Sequence, residues 1–417
     1  MEQIDFEKLK ERPHLFILGA GATKATIPFG DINGLKSPVM EDFLAITGLS
    51  YILKDITIRT ASNNIEDIYS ELYETNQLEL KDEIEKGIIS YYSKMQIPAK
   101  PTLYDYLILF LRSKDCIATF NWDPLLLQAY NRVNQITKDL PQLIFLHGSV
   151  AVGLCKTCMR YEPLQSVTCS KCGKPLVMSK LLYPVKNKDY QSDIFIRHSW
   201  SELEDYLERA EILTIWGYSA PKSDVAAREI MYKAFSKVFR RLDLIEIIDI
   251  ADKKSLSKNW EDFAEKTNYH FDIKENLLDT YIGKYPRRSI DAYVKSQLEG
   301  NWNCIPWEIN PNMTFDELAG FIMPLLKQEE TGSIDVLNIH SMRSIYSLLH
   351  FANLPVILTL RNIANLFECM TMFYFVKSLS ALRIVTEPCA DHILLFGRFP
   401  VLLHHALDVG GFGRGEE

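Results

Sequence analysis

The chain alternates short runs of consecutive apolar residues with longer stretches in which apolar positions recur every three or four residues. The runs Leu15–Leu18, Asp115–Phe120, Leu143–Leu146, Ile212–Trp216 and Leu244–Ile250 are apolar nearly throughout, which predicts short strands buried on both faces. Tyr269–Ile273 reads as a last strand. Helices are predicted over Glu41–Thr47, Asn64–Tyr73, Leu78–Lys94, Thr102–Arg112, Trp200–Arg209, Asp224–Arg240 and Ser255–Lys266. In the second of these, Ile65, Ile68, Leu72 and Tyr73 share one face. Strands alternating with helices predict an α/β fold with a doubly wound, Rossmann-like parallel sheet.

Beyond Glu275 the pattern changes. From Asn301 onward only 19 charged residues occur in 117, against 81 in the first 300, so this region is either buried or forms an assembly surface. Thr314-Phe-Asp-Glu317 fits a capping box ahead of a helix over Leu318–Leu326. Ile339, Met342, Ile345, Leu349 and Ala352 follow helical spacing, and Leu360–Leu382 reads as a helix apolar almost all round. Residues 410–415 are rich in glycine and read as disordered. The expected organisation is therefore an α/β domain over residues 1–274, with a cysteine module at 151–178. A mainly helical domain over 275–417 would serve oligomerisation or partner binding, and a homo-oligomer is expected.

Composition narrows the class. A net charge of −8 does not favour general electrostatic binding to nucleic acid, and leaves direct contact only to a local basic groove. The first residues, Met1–Asp5, show no basic region followed by an apolar run, so no secretory signal is read. Leu354–Leu382, the most apolar long stretch, is interrupted by Arg361, Glu368 and Lys377, which argues against a membrane span. Four of the eight cysteines form two Cys-x-x-Cys pairs, a metal pattern of a reducing compartment, so a cytoplasmic location is expected.

The chemistry concentrates where strands are predicted to end. Cys155-x-x-Cys158 and Cys169-x-x-Cys172, ten residues apart, are two thiolate knuckles that close a tetrahedral Zn²⁺ site. With all four ligands from protein, that zinc is structural. Leu15–Leu18 runs into Gly19-Ala-Gly21-Ala-Thr23, where glycines permit a tight turn and close approach of a phosphate. The third glycine of the dinucleotide fingerprint is replaced by Lys24. Such glycines also occur in α/β turns that bind nothing. Asn121 and Asp123 follow the second strand, where small polar groups meet ligands in open sheets or form an Asx turn into the helix after Pro124. His147 follows the third strand and suits general-base work or a structural role. Ser219 lies in a strand-end loop where it could bind a phosphate or ribose. Asp249 ends a strand and suits a ribose diol or the start of a helix. Thr23–Pro38, with Pro28, Gly30, Gly34 and Pro38, reads as an irregular lid.

In order, these motifs resemble the sirtuin (Sir2-type) superfamily: Gly-Ala-Gly-Ala-Thr, Thr119-Phe-Asn-Trp-Asp123, Leu146-His-Gly148, the four-cysteine ribbon and Gly217-Tyr-Ser219. The resemblance spans about Leu15–Ile250. Phe-Asn-Trp-Asp-Pro-Leu-Leu, Leu182-Tyr-Pro-Val and Gly-Tyr-Ser-x-Pro-x-Ser-Asp bring it closer to bacterial antiphage-defence proteins than to deacetylases. It implies NAD⁺ as substrate, with Gly19, Ala20, Gly21 and Thr23 at the pyrophosphate. Asn121 would position water at the nicotinamide ribose, Asp123 would contact the carboxamide, and His147 would be the general base. Ser219 and Asp249 would contact the adenosine half. It also implies NAD⁺ depletion in antiphage defence and a HerA-type ATPase partner.

This chain departs from deacetylases where they carry Thr-Gln-Asn-Ile-Asp, having Phe120 and Trp122 instead. No Phe-Arg closes the Thr23–Pro38 loop. Lys180-Leu-Leu-Tyr-Pro-Val-Lys replaces the strand that pairs with an acylated peptide, so peptide addition to a sheet edge loses its support. NAD⁺ glycohydrolase activity is then the expected function. The alternatives are an NAD-dependent deacylase and a non-catalytic nucleotide-binding assembly subunit; ADP-ribosyl transfer and cyclisation also stay open.

Overall fold

The structure, a computed structural model, describes residues 5–54, 58–183, 189–220, 224–301 and 304–331, and the backbone of Arg383–Val385 and Leu394–Phe396. The predicted apolar runs extend as β1 (His14–Leu18), β2 (Cys116–Thr119) and β3 (Gln142–Phe145). After an inserted module of β4 (Val152–Cys155), β5 (Arg160–Pro163) and β6 (Val177–Met178), the sheet resumes with β7 (Ile212–Trp216), β8 (Leu244–Ile248) and β9 (Phe271–Lys274). The main sheet is parallel in the order β3-β2-β1-β7-β8-β9. Counting only its own strands this is 3-2-1-4-5-6, the doubly wound order with its switch point between the first and fourth strands. Leu18 lies level with Thr119 on one side and Trp216 on the other, so the carboxyl ends of three strands form one edge.

Every residue of β1, β7 and β8 is buried, as continuous apolar runs require of a sheet covered on both faces. Leu15, Ile17, Leu213, Ile215, Ile245 and Ile247 face one core, shared with Trp200, Leu203, Leu207 and Met231. Phe16, Leu18, Trp216 and Ile248 alternate to the other, shared with Tyr104, Leu107, Leu125 and Ala129.

The same alternation puts His14, Thr214 and Glu246 on the second face, where they form a buried polar seam. His14 Nε2 lies 2.8 Å from Thr214 Oγ1, Thr214 donates to Glu246 Oε2 at 3.1 Å, and His14 Nδ1 lies 2.9 Å from Ser289 Oγ. The Tyr281 N–H donates to Glu246 Oε1 at 2.9 Å. Burial keeps the His14 imidazole neutral, lowering its pKa to about 3. Burial also pushes the Glu246 carboxyl up from 4.5 to about 7, against hydrogen bonds that favour its charge. Between those two pH values the folded chain holds a proton that the unfolded chain has released, so this group makes stability fall as pH rises. At about 1.4 kcal/mol per pKa unit the loss is ~3 kcal/mol, complete above pH ~7. Glu246→Gln should flatten that part of the profile, and denaturant titrations at several pH values will measure the difference.

The first compact unit runs to Leu337, so the boundary expected at residue 274 falls inside it. Leu277, Ile282, Leu318, Ile322 and Leu325 are buried in the second-face core. The predicted capping box is present at Thr314 and Glu317, and its helix is longer than expected, Phe315–Glu330. Arg287 ties this segment down. Its guanidinium donates to Leu109 O at 3.2 Å and Leu111 O at 2.8 Å, satisfying carbonyls at the end of helix Leu103–Phe110. It also pairs with Glu329 at 2.7 Å and with Asp139. Over residues 275–331 the segment is therefore part of the sheet's own packing.

In the second unit, residues 338–417, Arg383–Val385 pairs antiparallel with Leu394–Phe396. The helices expected at 339–352 and 360–382, and the disordered end at 410–415, lie outside the described residues. Among the described residues no helix is long and apolar enough to cross a membrane.

Other element ends move for local reasons. The helix expected at Trp200–Arg209 begins earlier, at Ile194, because Asp193 accepts from Phe195 N and Ile196 N. The helix expected to reach Arg240 stops at Phe235, and the buried Arg240 side chain turns back to Phe235 O at 2.8 Å and Ala210 O at 2.7 Å. Ser255–Lys266 divides into Lys253–Asn259 and Glu261–Lys266 at the buried Trp260. The expected lid is a hydrogen-bonded turn: Asp31 accepts from Asn33 N, Leu35 N and Gln96 N, each at 2.8 Å.

Candidate functional site

The loop after β1 crosses the loop after β7 at the switch point. Gly19 N–H donates to Trp216 O at 2.9 Å and Gly21 N–H to Gly217 O at 3.0 Å. Gly217 has φ +64°, and a Cβ there would lie 2.3 Å from Ala22 N. A Cβ on Gly19 would lie 2.4 Å from Gly217 O. The two glycines read from sequence as a phosphate turn are thus required first by backbone packing on a third, Gly217. Gly19 ends in extended backbone, and helix Ala20–Thr26 starts directly after it.

Thr23, on that helix, is fully buried and joins three other side chains. Its hydroxyl donates to Asp123 Oδ2 at 2.8 Å, lies 2.7 Å from the Tyr104 hydroxyl, and accepts from Asn121 Nδ2 at 2.9 Å. Asn121 Nδ2 also donates to Gly19 O at 2.9 Å. A backbone carbonyl can only accept, so this bond fixes the amide orientation and presents Oδ1 as the acceptor. Asp123 Oδ1 accepts from Leu125 N at 3.0 Å, so Asp123 rather than Asn121 makes the Asx turn into the next helix. Burial raises the Asp123 carboxyl above its usual range, opposed by its bonds from Thr23 and Leu125. Tyr104, at the centre of this network, carries no motif signal; only its place in an apolar helix face marked it.

His147 follows β3 on the same edge, with Leu146 N–H donating to Thr119 O at 2.9 Å. Its ring meets Phe120 edge-on at 4.8 Å and lies nearly parallel to Tyr190 at 6.1 Å. Gly148 has φ +75°, and a Cβ there would fall 2.0 Å from Lys180 O. Leu182 N–H donates to His147 O at 3.0 Å, so the segment after the cysteine module braces this turn. Leu181 and Leu182 are buried.

Ser219 and Asp249 end β7 and β8, across the switch point from Asn121. Ser219 is exposed, and its carbonyl accepts from Asn259 Nδ2 at 2.9 Å. Asp249 Oδ1 accepts from Ala251 N at 2.8 Å, an Asx turn. Neither side chain joins the Thr23 network.

The inserted module is a three-stranded antiparallel sheet in the order β5-β4-β6. The sulfurs of Cys155, Cys158, Cys169 and Cys172 lie within 4.8 Å of one another. A tetrahedral zinc with Zn–S of about 2.3 Å needs sulfurs about 3.8 Å apart, so the four thiols fit that ion. The Cys158 N–H lies 3.3 Å from Cys155 Sγ and lowers that thiol's pKa, while the neighbouring Cys172 raises that of Cys158 and burial raises that of Cys169, so the fit to zinc rests on the geometry of the four sulfurs. Ser149 N–H donates to Ser179 Oγ at 2.9 Å, and Ser179 Oγ donates to Ser149 O at 2.8 Å. These bonds close the module's base directly beside His147.

Strand order and edge chemistry define the class: a Rossmann-like α/β protein with its polar site at the β1/β7 switch point and a four-cysteine ribbon inserted after β3. Solved structures of Sir2 proteins are similar to this chain. A Sir2 homologue in complex with NAD aligns at 15% identity and TM-score 0.33, over 70% of this chain and 95% of that one. A structure described as the basis for mechanism and regulation of Sir2 enzymes aligns at 15% and 0.34, over 70% and 96%. Sir2Tm bound to a propionylated peptide aligns at 13% and 0.32, over 71% and 97%. No family model matches the chain. No curated protein matches it either.

Proposed function

We propose that this chain is an NAD⁺ glycohydrolase, cleaving NAD⁺ to nicotinamide and ADP-ribose. The observation that carries the reading is Asn121, locked by Gly19 O and Thr23 at the switch point, with His147 ending the adjacent strand. Dinucleotides bind at such an edge, and the backbone at Gly19, Ala20 and Gly21 would face the pyrophosphate. Thr23 holds Asn121. Ser219 and Asp249 lie on the side proposed for the adenosine half.

In the reaction the bond between ribose C1′ and the nicotinamide nitrogen breaks, and nicotinamide leaves with the electron pair. Water oxygen bonds to C1′, oriented by Asn121 Oδ1, and its proton passes to His147. Positive charge grows on the ribose as the bond opens, and the neighbouring carbonyl acceptors stabilise it. Asp123 is proposed to act through Thr23, because its carboxylate is buried and bonded to Thr23 and Leu125. Structural Zn²⁺ on Cys155, Cys158, Cys169 and Cys172 would hold the ribbon whose base braces His147.

Mass spectrometry of NAD⁺ incubations will test this reading, with the full chain alone, with an acetyl-lysine peptide, and with a HerA-type ATPase. Nicotinamide and ADP-ribose in equal amounts without peptide are expected. Turnover that requires the peptide would make the chain a deacylase, and binding without turnover throughout would make it an assembly subunit. The proposed setting is NAD⁺ depletion in the cytoplasm during antiphage defence.

We also propose self-association through the region after Thr331. Light scattering should find an oligomer for the full chain and a smaller species for a chain ending at Thr331. A full chain that stays monomeric, alone and with the ATPase, would remove that role.

A further inference from the structure

The imidazole of His147 is enclosed. It is only 8% exposed, with Phe120 against its edge and Tyr190 nearly parallel to its plane, at an interplanar angle of 18°. Tyr190 is held from three sides. Its ring packs on Trp200 at 4.4 Å, and its hydroxyl donates to Asp224 Oδ1 at 3.3 Å. Its backbone lies in the turn where Asp189 accepts from Gln191 N at 2.9 Å and Ser192 N at 3.0 Å. The second oxygen of Asp224 accepts from the Tyr218 hydroxyl at 2.7 Å, and Tyr218 packs on Phe120 at 4.4 Å. One carboxylate thus fixes both outer members of the aromatic group around His147.

We infer that Tyr190, positioned by Asp224, is the specificity-determining wall of the His147 site and limits the acceptor to water-sized nucleophiles. The inference rests on the hydrolase reading above. A side chain or alcohol reaching ribose C1′ past His147 must pass the face that Tyr190 covers, whereas water need not displace the ring. When a small alcohol replaces water, its oxygen bonds to C1′, its proton goes to His147, and nicotinamide leaves as before. The product is an alkyl ADP-ribose. Pocket shape of this kind discriminates by one to two orders of magnitude.

The test is NAD⁺ cleavage by the full-length protein in water containing methanol and 1-butanol at equal concentration. The ratio of butyl to methyl ADP-ribose is independent of overall rate. Tyr190→Ala should raise it at least about tenfold, and Tyr190→Leu repeats the test if Ala does not fold. Tyr190→Phe keeps the ring but loses its bond to Asp224, and should raise the ratio by less than Tyr190→Ala does. An unchanged ratio in the Ala or Leu variant overturns the inference, as does an equal rise in Tyr190→Phe. A second readout needs no turnover: diethyl pyrocarbonate modification of His147, resolved from the other eight histidines by peptide mass spectrometry. It should run severalfold faster in Tyr190→Ala and in Asp224→Ala. Equal rates in parent and Tyr190→Ala remove the wall. A parent that consumes no NAD⁺, alone or with the HerA-type ATPase, overturns the hydrolase reading and with it the acceptor limit, while the modification rates still judge the wall.

Discussion

Replacing His147 with Ala is expected to lower NAD⁺ consumption by about 10²–10⁴-fold, the usual loss when a general base is removed. Folded signal and zinc content should persist, because the turn that carries it is braced independently at Gly148, Lys180 and Leu182. Asn121→Ala should fall as far by a different route. It leaves the Thr23 hydroxyl bonded to Asp123 and Tyr104 but removes the carbonyl that would orient water. The assay is nicotinamide release by the activated complex under saturating NAD⁺. An idle isolated protein is consistent with a toxic activity held in check, so the parent complex must turn over before the variants are compared. A His147→Ala complex as fast as its parent would place the chemistry elsewhere.

The second large effect is on folding. Zinc should be bound at one ion per chain, and removing it should cost the ribbon its structure, since structural zinc contributes roughly 10–16 kcal/mol in small modules. One small cluster in the ribbon holds Leu176 with Cys155 and Cys169, and Val152 and Leu154 of β4 are the other apolar side chains buried there among the described residues. So small a core leaves the metal as the main organiser. Cys169→Ser should therefore lower soluble yield and raise proteolysis within residues 151–178, with the sheet affected through the Ser149–Ser179 clasp. Metal analysis and limited proteolysis will measure both. Retention of one zinc by the variant lacking all four cysteines would refute the assignment.

The inner strands of the main sheet were legible because burial on both faces leaves a nearly continuous apolar run, and its six strands were placed within about two residues, whereas β4, β5 and β6 of the ribbon were not predicted. The ribbon was legible because ligand spacing is local. What escaped was whatever depends on residues distant in sequence. Glu246 looks like a break in an apolar strand until β8 pairs with β7 and sets it beside Thr214. Tyr104 and Tyr190 belong to the site only because helix Leu103–Phe110 and the turn before Ile194 meet the strand ends. Gly217 read as a ligand turn, while its partners proved to be Gly19 and Gly21. The boundary at 274 failed where Arg287 reaches back to Leu109 and Leu111, a contact that spacing along the chain does not reveal.

The strand order also sets a timetable for synthesis. β1 is the sheet's central strand, yet its neighbour β7 begins almost two hundred residues later. At about 5–20 residues per second a ribosome takes roughly 10–40 s to supply it. Through that interval the β7 side of β1 stays open, even after β2, β3 and then the ribbon have been made. Helix Phe315–Glu330, which brings Glu329 to Arg287, arrives later still. Such a chain is a natural client for chaperones that shield apolar strands, and its yield in a cell should depend on their supply more than its final stability would suggest.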